Sequence, residues 1–265
     1  MKDLKIGVAL GGGGARGCCH VGVLKVLDEF GIVPYAISGV SMGALVGGLY
    51  TSGYTPKQME EYLLNFRQSK VFDFNIFKLL RNGLFKGDKI HAFIDESTKK
   101  QKIEDCKIKF FTSSVDILSG KTCVISSGSF ADAIYPSLAI PCVFTPFERD
   151  GKVLIDGGIV DNLPDGILKD IGCDVIITID AMGTYECSKA PRSTFEIAEN
   201  TLYILAFQNQ QRIEKCSDII ITPKQDLKMY HLRKNDMIES MKAGEDATRK
   251  CIDEILKIIE EKNHE

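Results

Sequence analysis

The sequence lacks the features of membrane-spanning, nucleic-acid-binding and metal-stabilised proteins. No apolar run is long enough to cross a bilayer, and the apolar stretch Ile6–Leu10 is too short for the core of a signal peptide. A net charge of −3 gives no electrostatic footprint for nucleic acid, although it leaves room for a local basic patch at a membrane. The nine cysteines follow no metal-ligand spacing. We therefore expect reduced thiols in a cytoplasmic protein, with at most transient contact at a membrane surface, and no metal or cofactor.

Internal repeats, low-complexity tracts and linker-like shifts in composition are also missing. The 265 residues fit one large α/β domain, and 44% hydrophobic with 26% charged residues is ordinary for a globular protein. We predict a single domain over residues 1–265, with a helical C-terminal extension from about residue 190. Nothing in the sequence indicates an oligomeric state.

Hydrophobic periodicity predicts strands that alternate with helices along most of the chain. Strands are predicted at 5–10, 35–38, 107–115, 121–125, 152–155, 175–179 and 218–221. Helices are predicted at 15–30, 42–51, 56–67, 130–138, 194–212 and 236–262. This alternation is typical of a three-layer α/β/α fold around a mainly parallel central sheet. The irregular aromatic stretch 69–88 is compatible with buried core and with a lid or acyl-chain cleft.

The sharpest motif is a G-x-S-x-G sequence between a short predicted strand and a predicted helix. It comprises Gly39, Ser41 and Gly43 with Val40 and Met42 between them. A nucleophile on a tight strand-to-helix turn brings the two elements so close that side chains two positions away would clash, so both become glycine. The serine hydroxyl is then left exposed at the carboxyl end of the sheet, near a helix N-terminus. Ser41 is therefore the candidate nucleophile.

A glycine-rich loop, Gly-Gly-Gly-Gly-Ala-Arg-Gly over residues 11–17, joins the first predicted strand to the first helix. Consecutive glycines can turn their amides toward one point and form an anion cradle, which in acyl transfer would stabilise an oxyanion. Arg16 adds a positive charge that could bind a substrate phosphate or orient the loop.

The same loop also fits the dinucleotide fingerprint G-x-G-x-x-G through Gly12, Gly14 and Gly17. A dinucleotide site needs an acidic residue at the end of the second strand, and that strand instead runs into the serine motif. Nucleotide binding is thus the weaker alternative.

A serine nucleophile needs a base, and none of the four histidines, His20, His91, His231 and His264, lies at a recognisable strand end. Asp156 is the better candidate. It ends a predicted strand, and Gly157 and Gly158 after it permit a sharp exit and a close backbone approach.

The glycine loop, the GVSMG elbow and the strand-end DGG, in this order, resemble the patatin-like phospholipase family. The AIPCVFTP stretch (139–146) and the DNLP stretch (161–164) resemble its bacterial branch, and the match runs from about residue 5 to 180. The resemblance implies a patatin-like fold and a Ser-Asp dyad without histidine. It also implies an oxyanion hole of the Gly12, Gly13 and Gly14 amides, to which Met42 could add its own.

The predicted activity is hydrolysis of an acyl ester by Ser41 and Asp156, with a phospholipid or another acyl ester as substrate and no cofactor. Burial would have to raise the pKa of Asp156, since an ordinary carboxylate is a weak base toward a hydroxyl. An acyltransferase using the same two residues stays open as an alternative.

Overall fold

The computed structural model describes residues 4–65, 87–184, 190, 193–227 and 233–264, without the side chains of residues 195 and 199. Most of the aromatic stretch 69–88 lies outside the described residues. Eight strands form one sheet in the order β5-β6-β3-β2-β1-β7-β8, with β4 paired to β3. The strands are β1 Ile6–Leu10, β2 Ala36–Gly39, β3 Lys109–Asp116, β4 Lys121–Ile125, β5 Phe147–Arg149, β6 Lys152–Asp156, β7 Val175–Ile179 and β8 Ile219–Ile221.

Helices flank this sheet and connect most of its strands. They are α1 Cys19–Glu29, α2 Met42–Thr51, α3 Pro56–Leu64, α4 Asp88–Ser97, α5 Phe130–Leu138, α6 Asp165–Asp170, α7 Thr194–Arg212 and α8 Lys234–His264, with 3₁₀ turns at Gly14–Cys18, Ile103–Asp105 and Gly157–Ile159. The pairs β1–β2, β1–β7, β2–β3 and β7–β8 are parallel, whereas β4, β5 and β6 pair antiparallel. The predicted α/β class with a mainly parallel sheet is confirmed.

The two faces of the sheet are covered unequally. Apolar strands such as β7, whose five residues are all buried, are typical of parallel sheets covered on both faces. One face carries the large core, in which α1, α2, α5 and α8 pack on strand residues such as Leu10 and Phe110. The other carries a small cluster of Ala9, Ala36 and Ile176 under Leu168 of α6.

The C-terminal region is built into the domain. The predicted extension from about residue 190 contains α7 and α8, but also β8, which joins the sheet beside β7. Helix α8 crosses α1 with the two backbones in close contact. A Cβ at Gly22 would lie only 1.9 Å from the Met241 carbonyl oxygen. A Cβ at Gly244 would lie 2.0 Å from the Cys19 carbonyl oxygen. Among the described helices, none has the length and apolar composition that crossing a bilayer requires.

Strand register determines where the end of β6 lies. Strand β2 ends at Gly39, opposite Thr112 in the middle of β3. Strand β3 continues, and β6 pairs with this overhang in the antiparallel direction, so that Asp156 lies opposite Ser114. The last residue of β6 thus arrives just beyond the end of β2, where the serine motif begins.

Candidate active site

Ser41 occupies a strained turn between β2 and α2. Its backbone has φ 53° and ψ −123°, in the region that residues with a Cβ rarely adopt. The Ser41 amide donates to Oγ of Ser137 at 2.9 Å, and this hydroxyl in turn donates to the Ser113 carbonyl oxygen at 2.7 Å. Ser137 thereby fixes the turn to β3. The sequence carries no signal for this role, because nothing local distinguishes Ser137 from any other serine in a buried helix.

The glycines of the serine motif are explained by close packing. A Cβ at Gly43 would lie 2.1 Å from the Leu10 carbonyl oxygen, and one at Gly39 would lie 2.7 Å from the Ala44 backbone. Helix α2 therefore begins in contact with the end of β1 as well as β2. The strand–turn–helix context that the motif predicts is present.

Asp156 is buried, and it lines the same cavity as Ser41. The Gly158 amide donates to Asp156 Oδ1 at 2.8 Å. Burial raises the pKa of Asp156 from 3.8 to about 6, although the Gly158 amide and the Ser41 hydroxyl act in the opposite direction. A carboxylate with this pKa is ionised at neutral pH and is a stronger base than a solvent-exposed aspartate.

Asn162 connects the Asp156 turn to the glycine loop. Its Nδ2 donates to the Gly12 carbonyl oxygen at 3.2 Å, and its own carbonyl accepts the Gly12 amide at 3.4 Å. A Cβ at Gly158 would lie 2.8 Å from Asn162 Oδ1, and one at Gly157 would lie 2.5 Å from the Ser113 carbonyl oxygen. The DNLP stretch of the sequence includes Asn162, but nothing in this motif indicates that Asn162 bridges the two loops.

The predicted oxyanion donors fall into two groups. Gly12 and Gly13 line a cavity next to Ser41, whereas Gly14 and Met42 do not. Within the described residues, no protein acceptor is assigned to the amides of Gly13, Gly14 or Met42, while Gly12 donates to Asn162. The Gly13 amide is therefore the best placed of the four. Gly17 allows the glycine loop to pack closely against Met42, since a Cβ at Gly17 would lie 2.6 Å from Cβ of Met42.

A buried histidine also supports the glycine loop. Nε2 of His20 lies 2.7 Å from the Gly11 carbonyl oxygen and must donate to it, because a carbonyl only accepts. Burial lowers the pKa of His20 to about 4, so the ring is neutral. Among the described residues, no histidine lines the cavity. His91 instead pairs with Asp132, and His231 lies outside the described residues.

Arg16 does not line the cavity. Its Nε donates to the Leu227 carbonyl oxygen at 2.6 Å, and its Nη1 donates at 3.0 Å to both the Met182 carbonyl oxygen and the Tyr203 hydroxyl. Of the two roles predicted from the sequence, this geometry favours orienting the loop. Binding of a substrate phosphate by Arg16 stays a prediction.

Helix α7 contributes Leu202, Tyr203 and Ala206 to the cavity that Ser41 and Asp156 also line. The cavity measures about 60 Å³, room for a few water molecules rather than for an acyl chain. The sequence predicted the bounds of α7 but not its place over the serine. The described residues contain no cluster of three or more histidine, cysteine or acidic side chains able to hold a metal ion.

Comparisons with known proteins relate the chain to one family. A sequence model described as patatin-like phospholipase matches residues 8–168. An uncharacterized NTE family protein of Mycobacterium tuberculosis is 32% identical over 180 residues, which are 68% of this chain and 50% of that protein. A protein named lysophospholipase NTE1 from Yarrowia lipolytica is 30% identical over 189 residues, which are 68% of this chain and 13% of that protein.

A solved structure resembles the whole chain in its fold. VipD from Legionella pneumophila superposes with a TM-score of 0.54 at 15% identity, covering 96% of this chain and 67% of that one. The chain spans about half the length of the mycobacterial relative.

Proposed function

The chain belongs to the patatin-like phospholipase family, and we propose that it is a serine acyl hydrolase in which Ser41 is the nucleophile and Asp156 its base. One observation carries the proposal: a serine on a strained elbow and a buried carboxylate whose pKa is raised to about 6 line the same cavity. A strained serine or a buried aspartate alone would have a structural explanation. Their occurrence in one cavity is what a nucleophile and its base would require.

In the proposed first step, Ser41 Oγ attacks the carbonyl carbon of an acyl ester and its proton moves to Asp156. The negative charge on the carbonyl oxygen is stabilised by the Gly13 amide, with the positive end of α2 close to Ser41. The tetrahedral intermediate collapses, the C–O bond to the alcohol breaks, and the alcohol leaves with the proton from Asp156. An acyl-serine remains.

In the second step, Asp156 takes a proton from water, whose oxygen attacks the acyl-serine. The free acid leaves, and the proton returns to Ser41. An acyltransferase would follow the same steps with an alcohol in place of water, so its product is what distinguishes it. The lysophospholipase name of the Yarrowia lipolytica relative makes single-chain phospholipids the first substrates to test.

The experiment compares Ser41→Ala and Asp156→Asn with a matched control, Ser52→Ala. Ser52 is equally buried, but it lies at the far end of α2, where its hydroxyl donates to the Leu49 carbonyl oxygen. Hydrolysis of a short-chain p-nitrophenyl ester should fall by roughly 10⁴-fold or more in the first variant and about 10³-fold in the second. The control should retain it.

Labelling with a fluorophosphonate followed by peptide mapping identifies the reacting residue. The adduct should form on Ser41 in the parent and in the Ser52→Ala variant. Activity or labelling that survives Ser41→Ala would overturn the assignment. Release of free fatty acid, measured against acyl transfer to added glycerol, separates the hydrolase from the acyltransferase.

A further inference from the structure

The outer face of α7 carries exposed apolar residues beside the exposed polar residues Thr201 and Gln208, while the other face lines the candidate site. Ile197, Ile204 and Leu205 are 53%, 41% and 50% exposed, respectively. Their spacing of seven and eight residues places them on one side of the helix. Between residues 197 and 211 the sequence has a single charged residue, Glu199. An exposed helix of a soluble domain normally carries charged residues on its outer side.

A second exposed apolar pair lies at the β3–β4 turn. Ile117 and Leu118 are 56% and 69% exposed. Strand β3 runs parallel to β2 and continues past its end, since Gly39 pairs with Thr112 while β3 extends to Asp116. The turn after β3 therefore projects from the carboxyl edge of the sheet, the edge at which Ser41 lies.

We propose that the outer face of α7 and the β3–β4 turn together form a docking surface for a phospholipid layer. This inference rests on the proposed function, because a lipid layer is then the source of the substrate. Exposed apolar side chains on a helix face with few charges can insert into the boundary between headgroups and acyl chains. Exposed apolar surface of this kind otherwise lowers solubility.

The position of α7 links docking to access. The cavity of about 60 Å³, which Leu202, Tyr203 and Ala206 help to line, is small for an acyl chain. If α7 moves away from the cavity, a lipid layer bound to the outer face of the helix would stabilise α7 in its displaced position. Contact with lipid and opening of the site are then favoured by the same apolar surface.

The test measures binding in the Ser41→Ala protein, so that hydrolysis cannot alter the vesicles. One variant carries Leu118→Ser and Leu205→Ser on the carboxyl edge. Its matched control carries Phe30→Ser and Val33→Ser, which lie between α1 and β2 at the opposite edge and are 44% and 65% exposed. Circular dichroism and the thermal midpoint verify folding. Co-sedimentation with phosphatidylcholine vesicles gives the partition coefficient.

The carboxyl-edge variant should bind vesicles about a hundredfold more weakly, roughly tenfold for each buried side chain lost, and the control should bind like its parent. Equal binding by the two double variants overturns the docking surface. So does a carboxyl-edge variant that merely changes from dimer to monomer in sedimentation velocity, because the face would then bind a second copy. Failure of the parent to hydrolyse a soluble ester would refute the proposed function and leave this binding result intact.

Discussion

The candidate cavity has two walls that are held in place in different ways. The wall formed by Gly12, Gly13, Ser41 and Asp156 belongs to turns that leave the sheet, and it is fixed by backbone hydrogen bonds and by contacts too close for a Cβ. The opposite wall is α7, which side-chain hydrogen bonds hold over the site.

Side-chain hydrogen bonds join the described middle and second half of α7 to the rest of the domain. Asn209 Nδ2 donates to the Ile159 carbonyl oxygen at 2.8 Å, Gln210 Nε2 donates to Asp180 Oδ2 at 2.9 Å, and the Tyr203 hydroxyl accepts from Arg16. Each such bond contributes on the order of 1 kcal/mol, which is far less than the cost of displacing a packed strand end. The comparison places the proposed nucleophile and base on the wall that backbone contacts hold, and it makes α7 the part of the cavity that we expect to move more easily.

Among the substitutions that compare the two walls, the largest effect is expected from Gly43→Ala, which tests how rigid the first wall is. The added methyl would lie 2.1 Å from the Leu10 carbonyl oxygen, so the elbow or the end of β1 must move. We expect the free energy of unfolding to fall by about 3 kcal/mol, and ester hydrolysis to fall by about a thousandfold. Urea unfolding and steady-state kinetics measure the two quantities.

Gly166→Ala on α6 is the matched control for that change. A Cβ at Gly166 meets no atom within 4 Å, so the variant should be as stable as the parent or gain about 0.5 kcal/mol. Unchanged stability and turnover of the Gly43→Ala protein would show that the wall containing Ser41 and Asp156 deforms as easily as α7.

The pH dependence of hydrolysis tests whether the cavity is dry. Asp156 must be ionised to accept the Ser41 proton, and burial raises its pKa to about 6. Below that pH, kcat/KM should fall about tenfold for each unit, and above it kcat/KM should level off. A carboxylate in contact with bulk water would instead titrate near its ordinary value of 3.8. Initial rates on a soluble ester between pH 4 and about 8 locate this limb.

Asp161 provides the control, because burial also raises the pKa of this neighbouring carboxyl to about 6. Asp161→Asn keeps an oxygen that can accept the Leu163 amide, so its limb should coincide with that of the parent. If Asp161→Asn shifts the pH at which kcat/KM begins to fall, the titration belongs to Asp161 and not to Asp156.

The same contrast explains what the sequence could predict. Glycine loop, elbow and strand end are local motifs whose residues follow from backbone geometry, so Ser41 and Asp156 could be named before the fold was known. The bounds of α7 also follow from its local pattern. Its place over the serine depends on long-range contacts, such as that of Gln210 with Asp180, for which the sequence has no local signal. Asn162 and Ser137 escaped prediction for the same reason.

Arg16 connects the two walls, and its substitution gives the smallest predicted effect. Arg16→Lys keeps the charge but loses the planar fork that reaches Leu227, Met182 and Tyr203 together. We expect a loss of about 1–2 kcal/mol in the free energy of unfolding, and faster amide hydrogen exchange in α7 than in α2. Hydrogen exchange followed by mass spectrometry compares the two helices within one protein.

Arg16→Met separates the two roles that the sequence allowed for this residue. If Arg16 orients the loop and α7, removing its charge should change the kinetics of a neutral ester and of a lysophospholipid by the same factor. If it binds a phosphate, KM should rise for the lysophospholipid alone. A selective rise in KM would require the guanidinium to leave its three partners when substrate enters, and α7 would then be released by the substrate itself.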